Sequence, residues 1–515
     1  MTNTNFKHSG VEWLGQIPKH WEIVPLKAVF QSRNEDNRNL KYTQILSLLK
    51  DIGVIPYEEK GAIGNKSKEN LSGYKIARKN DFILNKMNAV IGSLGVSNYD
   101  GLVSPIYLIL YITNSNYFLS FYSYIFQSKE FQKSLKQYAY GIMDIRESID
   151  FLEFKNAKLP LPPLNEQRQI AEFLDKKCEK ISEFIAKKQR LITLLKEQKQ
   201  TLINECVCGR LDFVIESERS EVSPSLRDFA TQNRGNPQKT TTKGIDCHEV
   251  VPTSRNDKIA FKHSGVEWLG QIPKHWEVRK LKQIGVFDKG LNITKENLKD
   301  NGIFVLNYGE IHSKYPFEVN PQIHQLKCVD ENFLNTNFHS LLHKGDFVFA
   351  DTSEDIAGSG NFSFLSSEIA TFAGYHTIIY KITNLDCHEN PNGFSRNDYK
   401  KAKLDNPSLR ASKTSVAIHK INAKFLAYEF ESGIFRSQIQ KNVNGVKVYS
   451  ITQNILKDCE AWIPPLNEQR QIAEFLDKKC EKIDKAIRLI EQEINKMKEY
   501  KTSLIDKAVK GQINA

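Results

Sequence analysis

No apolar run in this sequence is long enough to cross a bilayer. The most hydrophobic stretch, Leu102–Ile112, is broken by Ser104, Pro105, Tyr107 and Tyr111. A spanning helix needs roughly 20 apolar residues, so this stretch predicts a pair of buried strands instead. Residues Met1–His8 lack the basic-then-apolar pattern of a secretory leader. Eight cysteines are spread over 515 residues with no C-x-x-C pair, which suits a reducing cytoplasm. Only Cys206 and Cys208 are near neighbours, and no histidine stands at zinc-ligand spacing from them. Buried or idle thiols are expected there, and no metal site. Lys and Arg total 72 against 61 Asp and Glu, for a formal charge of +11, with 40% hydrophobic and 26% charged residues. This is the composition of a soluble globular protein of roughly two to four domains. Its modest basic bias suits a nucleic-acid partner without demanding one.

Internal repeats carry most of the information. Phe6–Glu22 reads FKHSGVEWLGQIPKHWE, and Phe261–Glu277 repeats it at an offset of 261 − 6 = 255. Pro162–Ile181 reads PPLNEQRQIAEFLDKKCEKI, and Pro464–Ile483 repeats it at an offset of 464 − 162 = 302. The order is opening segment, variable region, helix, then the same again. Between identical frames the two variable regions share little, which predicts two surfaces with different targets. Drift alone should have touched the frame too, although recombination that homogenises the frame would give the same picture. The second variable region is longer. Much of the excess lies in a polar stretch around 385–420 that shares the words DCHE, SRND and PSLR with the central linker at 210–260. Both stretches read as loops, consistent with a repeat element that landed twice where loop length is tolerated.

After each Pro-Pro pair comes a long periodic run, 165–209 and 467–511, closed by Gly209 and Gly511. Asn165 is the expected N-cap, with Glu166 in the first turn. Seam positions, apolar except for two lysines, recur at alternating spacings of four and three: Leu174, Cys178, Ile181, Ile185, Lys188, Ile192, Leu195, Lys199, Leu202 and Cys206. The second copy repeats this with Leu476, Cys480, Ile483, Ile487, Ile490, Ile494, Met497, Lys501, Leu504 and Ala508. A stripe this long must be buried against another helix, and the other copy is the obvious partner. Each helix, about 68 Å at 1.5 Å per residue, carries the chain away from one domain to the next, so the pair is expected to be antiparallel. The alternative is that each helix merely caps its own domain. The predicted architecture is α+β. Two globular α/β domains, 1–164 and 261–466, are separated by an antiparallel coiled coil of 165–209 and 467–515 with pseudo-two-fold symmetry.

This repeated order resembles the specificity subunit of type I restriction–modification systems. The resemblance covers essentially the whole chain. It is carried by SGVEWLGQIPKHWE, by LPPLNEQRQIAEFLD, and by LINECVCGRLD (Leu202–Asp212) with its partner SLIDKAVKGQIN. Lys79–Pro105 resembles one type of target recognition domain, and His343–Gly360 followed by Ala373–Thr377 resembles another. The resemblance implies a reader of double-stranded DNA with no catalysis of its own. Two modification subunits, which use S-adenosylmethionine, and motor-nuclease subunits, which use ATP and Mg, would dock on its frame in the cytoplasm. The residues agree that chemistry lies elsewhere. Leu164 and Leu466 follow the Pro-Pro pairs where an adenine methyltransferase needs an aromatic residue. No G-x-x-x-x-G-K-[ST] loop occurs, and Gly358-Ser359-Gly360 reads as a turn. This chain is therefore expected to have no catalytic residues and no bound cofactor or metal.

Base reading needs hydrogen-bonding side chains on a groove edge, and phosphate positioning needs Lys, Arg or small polar groups. In the first domain the candidates are Lys86, Asn88 and Ser93, where a strand ends in a polar loop, with Arg146 in the loop 141–148. In the second they are Ser353 and Glu354 in an acidic run, His376, and Lys447 with Tyr449 in a loop equivalent to 141–148. Each is weighed against being an ordinary loop residue. The repeated Trp13, Trp21, Trp268 and Trp276 are expected in the frame, because a specific contact would not be duplicated between unlike readers. Arg168 and Arg470, in the identical first turns of the helices, are the candidates for binding partner subunits. A coiled-coil adaptor joining two protein-binding domains is the competing function. Half-site sequences and gap length are not encoded in any motif.

Overall fold

The computed structural model describes residues 5–50, 52–61, 70–87, 89, 92–140, 148–210, 260–266, 268–383, 420–445 and 448–513. Nearly all of the expected linker and insert falls outside these, as do Asn88, Arg146 and Lys447. The described chain divides into two units, one of residues 1–193 with 487–515, the other of 194–486.

In the first unit the core is an antiparallel sheet in the order Gln31–Arg33, Tyr107–Tyr111, Phe82–Asn85, Leu94–Val96. The apolar stretch 102–112 does form two buried strands: Gly101–Val103 pairs with Lys75–Ala77, while Tyr107–Tyr111 lies inside the sheet. One face packs on the helix Leu119–Gln127, where Phe82 and Phe126 meet at 4.0 Å between ring centroids. Trp13, Leu14, Ile17 and Trp21 of the opening segment join the same core as Ile170, Leu174, Cys178 and Ile181 of the first long helix. The strand Glu22–Pro25 pairs with Lys158–Leu161, so the chain leaving the opening segment is zipped to the chain entering the helix.

The second unit has little sequence in common with the first between the repeats, yet its central sheet has the same order. Gly285–Lys289, Thr377–Ile382, Phe347–Ala350 and Phe362–Leu365 follow one another in antiparallel register. Two additions distinguish it: Phe317–Val319 extends the sheet in parallel, and a second four-stranded sheet is built from 327–329, 303–306, 371–373 and 341–342. Part of the greater length of the second variable region is therefore ordered structure. Phe347, Phe349, Phe362 and Phe364, all buried, supply the β-forming apolar surface of this central sheet.

The long helices run Leu164–Val207 and Leu466–Ala508, 44 and 43 residues. Every seam position named from the sequence is buried or half-buried. Pairing is antiparallel. In the first unit Lys501 bonds Ser182 and Glu493 pairs with Lys188, so one helix descends in number as the other rises. In the second, Lys199 pairs with Asp484 at 2.7 Å. The expected N-cap needs correction: Asn165 is already helical, and the Gln167 N–H bonds the Pro163 carbonyl at 3.0 Å. The prolines, which donate no bond themselves, present the carbonyls that open the helix. Gly209 and Gly511 both adopt φ +66° and stop the helices as expected. The six described cysteines are buried and free. Burial pushes the Cys206 thiol up to about 12 and the Cys480 thiol to about 11, which keeps both in the unreactive thiol form.

Candidate nucleic-acid interface

The repeated segments build a frame that places the variable loops. Glu166 accepts from His20 Nε2 at 2.7 Å and from the Trp21 indole at 2.9 Å. Glu468 makes the same two contacts, at the same distances, to His275 and Trp276. An acidic first-turn residue, expected to complement the helix dipole, is thus also a clamp on the opening segment. Gln167 accepts the Phe118 N–H and donates to the Pro162 carbonyl, and Gln469 does so to Asn422 and Pro464. Tyr124 donates to Asp175 and Tyr428 to Asp477, both at 2.6 Å. Charge-assisted, partly buried bonds of this kind fix geometry more firmly than surface ion pairs do.

A second equivalence was not seen in the sequence. Lys79-Asn80-Asp81-Phe82 and Lys344-Gly345-Asp346-Phe347 make the same turn, with φ of 71° at Asn80 and 84° at Gly345. Asp81 accepts the Arg78 N–H at 2.8 Å and Asp346 the His343 N–H at 2.9 Å. Glycine and asparagine tolerate the left-handed backbone, and aspartate closes the turn. Each turn launches a strand whose four residues are all buried, 82–85 and 347–350. The next residue of each strand emerges at the same place, and it is Lys86 in one unit and Asp351 in the other. Their carbonyls accept from Ile149 at 3.1 Å and from Ile451 at 2.7 Å, two residues separated by the repeat offset. The frame therefore delivers opposite charges to equivalent points.

In the first unit, Asn85 is buried and its side chain caps the turn by accepting the Met87 N–H at 3.1 Å. Lys86 is half-buried. Burial, and then the nearby Lys86, push the Lys75 ammonium below its ordinary value, while Asp36 partly offsets this. Lys75, which sequence reasoning missed, donates to the Tyr107 carbonyl at 3.1 Å. Ser93 is 5% exposed, and its carbonyl accepts the Asn85 N–H. The expectation that its side chain reads DNA is corrected: Ser93 is buried directly before the strand Leu94–Val96.

In the second unit, Tyr449 pairs in register with Ser353, and the Asp351 N–H bonds the His376 carbonyl, so three of the candidates converge beside Asp351. Ser353 is also corrected from surface contact to turn former. It is buried, and its hydroxyl donates to the Asp355 carbonyl at 2.7 Å. Glu354 is exposed and Tyr449 half-exposed. His376 is exposed, with φ 55°, its ring 5.4 Å from Tyr308 and its Nδ1 3.3 Å from Asp351. Beside them lies a hollow of about 690 Å³ lined by Tyr308, His312, Glu354, Asp355 and Asn361. Asn361 donates to His312 Nδ1 at 2.9 Å, so Nε2 carries the proton and donates to the Thr352 carbonyl at 2.8 Å. Arg436 holds the Asn361 oxygen at 2.7 Å. The KxDF turns could have placed Lys86 opposite Asp351 from sequence. Tyr308 and His312 stand four apart on the short helix Tyr308–Ser313, but no spacing connects them to Asn361, which comes from a loop.

Lysine can donate to guanine O6 and N7, and a carboxylate can accept from the cytosine amino group. The two units thus offer complementary chemistries to a base-pair edge. The sequence matches the family described as the type I restriction modification DNA specificity domain over residues 18–194 and 404–499. That is more than half of the chain, and the chain belongs to this family. Among relatives, the type I restriction enzyme MjaVIII specificity subunit of Methanocaldococcus jannaschii is 23% identical over 369 residues, covering 71% of this chain and 64% of that protein. A putative type I restriction enzyme MjaX specificity subunit of the same organism is 24% identical over 289 residues, 54% of this chain and 55% of that protein. The chain thus spans less than two thirds of the length of these curated relatives. A solved chain from a type I R-M system, described in terms of complex assembly and conformational transition, aligns over 96% of this chain and 99% of its own. Its TM-score is 0.58 at 14% identity, a likeness of fold.

Proposed function

We propose that this chain is the DNA-reading specificity subunit of a type I restriction–modification complex, non-catalytic itself, recognising an asymmetric bipartite site in double-stranded DNA. The observation that carries the reading is the placement of Lys86 and Asp351. One strand order and one anchoring bond present opposite charges in the two units. A repeated frame with unlike loops is what two unlike half-sites require. Duplex DNA offers two short half-sites on one face about one helical turn apart, near 34 Å, and stiff paired helices are suited to setting such a spacing.

In this reading two modification subunits and the restriction subunits dock on the frame, and methyl transfer and cleavage, with S-adenosylmethionine, ATP and Mg, belong to them. Arg168, exposed and 5.9 Å from the Phe118 ring, and Arg470, half-buried in a hollow with Glu318 and Glu474, are the docking candidates. Methylome sequencing of cells expressing the full complex tests the proposal. The expected result is one split, asymmetric motif. Lys86→Ala should relax one half of it and Asp351→Ala the other, whereas Arg168→Glu should weaken assembly and leave the motif intact. A full chain that assembles with no methyltransferase subunit and binds no duplex would support the adaptor function instead.

A further inference from the structure

The two copies of the long helix are identical up to Ile181 and Ile483, and they part at the next residue, Ser182 in one and Asp484 in the other. That position faces the same lysine of the opposite helix copy. In the second unit the Lys199 ammonium is held by both oxygens of Asp484, at 2.8 and 2.7 Å. In the first unit its repeat counterpart Lys501 meets the Ser182 hydroxyl, at 3.2 Å, and pairs with no carboxylate among the described residues. The positive charge is neutralised in one unit and retained in the other.

Lys501 lies in a hollow of about 770 Å³ contained within the first unit. Lys50, Lys129 and Lys498 line it too, interleaved with Asn98, Ser123, Gln127, Gln132 and Thr502, and no described lining residue carries a carboxylate. Lys498 also borders a neighbouring hollow with Glu130, Glu499 and Asp506. There Glu130 pairs with Lys510 and Asp506 accepts from Ser128. Gly92, which closes the loop after Lys86, forms the rim, where an added Cβ would stand 3.3 Å from the Gln132 amide oxygen. Lys129 corresponds to Gly433 in the second unit, since Ser128 and Ser432 before them cap equivalent helices. The hollow therefore reaches Gly92 and the strand Leu94–Val96, and at the position of Lys129 the second unit carries no charge.

We infer that this groove seats the phosphate backbone of the duplex, so that the first unit supplies more of the non-specific, salt-sensitive grip than the second. The inference rests on the DNA-reading function proposed above. Lysines with small amides and hydroxyls between them are the groups that contact phosphate oxygens, and such contacts add affinity without sequence preference. A groove of this chemistry would also attract an acidic protein surface, so the test separates the two.

The test is binding of the full chain to cognate and random duplex across a salt series, with three variants. Ser182→Asp copies the ion pair of the second unit and neutralises Lys501 without removing it, which safeguards the helix pairing. Lys50→Gln with Lys498→Gln removes two charges, and Lys50→Arg with Lys498→Arg restores them. Each lost phosphate contact should lower the slope of log K against log salt by about 0.9, a difference of about 3.5-fold in affinity between roughly 50 and 200 mM salt. The loss should be equal on cognate and random duplex, and the Arg variant should recover it. Slopes unchanged in both neutralised variants of a chain that binds DNA would overturn the inference, as would loss of assembly with a protein partner at an unchanged slope. A wild-type chain that binds no duplex would instead remove the function on which the inference rests.

Discussion

Glu429 is the most exposed to refutation by a single titration, because the structure holds it fully buried with one oxygen unpartnered. Its Oε1 accepts the Trp462 N–H at 2.8 Å, and among the described residues its Oε2 has no hydrogen-bond partner. Burial drives the carboxyl well above its ordinary value of 4.5. The corresponding place in the first unit holds Ile125 opposite Pro160. Proline has no N–H to satisfy, so an apolar neighbour suffices there; tryptophan has one, and the glutamate meets it. A carboxyl whose value is raised in the folded state adds stability that is fully present below the unfolded value and is lost as pH rises toward the folded one. While the folded group stays protonated and the unfolded one ionises, the loss is about 1.4 kcal/mol per pH unit. Glu429→Gln keeps the oxygen that accepts from Trp462 and removes the titration. Over two units, from pH 5 to 7, the variant should therefore gain up to about 3 kcal/mol on the wild type. Differential scanning calorimetry of the full chain at pH 5, 6 and 7 measures this as diverging transition temperatures for the second unit. Parallel pH dependences in the two proteins would show that Glu429 is ionised and solvated, and the reasoning would fail.

The duplicated clamps give a prediction with its own internal control. Glu166→Ala leaves the indole of Trp21, 1% exposed, without its acceptor, and Glu468→Ala does the same to Trp276. Each should cost about 1–3 kcal/mol, and calorimetry should show similar losses in the two variants; clearly unequal losses would contradict equivalent frames. Gly209→Ala and Gly511→Ala each force a Cβ to within 2.7 Å of a proline, Pro273 or Pro18, at φ +66°. Both should destabilise by more than the roughly 1 kcal/mol typical of a left-handed glycine site, measured by urea unfolding, whereas Gly309→Ala, with nothing within 4 Å, should be near neutral.

Much of this architecture was legible before any coordinates, for a physical reason. Burial of an apolar stripe imposes a periodicity that needs no neighbour to be read, so the seam from Leu174 to Cys206, the stops at Gly209 and Gly511 and the strands within 102–112 all follow from local pattern. The duplication made the frame visible, and it correctly placed Trp13, Trp21 and Trp276 in the core, with Trp268 packed against it. Tertiary structure decided what local pattern cannot carry. Only the fold shows that Glu166 is a clamp, that Ser93 and Ser353 face inward, and that Lys86 and Asp351 occupy one place in two unlike sequences. The hollow beside His376 depends on Tyr308, His312 and Asn361, contributed by a short helix and a loop, and their meeting is a property of packing. The charge left on Lys501 is settled the same way: a serine or an aspartate on another helix, 319 residues away in sequence in one unit and 285 in the other, determines whether that ammonium is free to hold an anion.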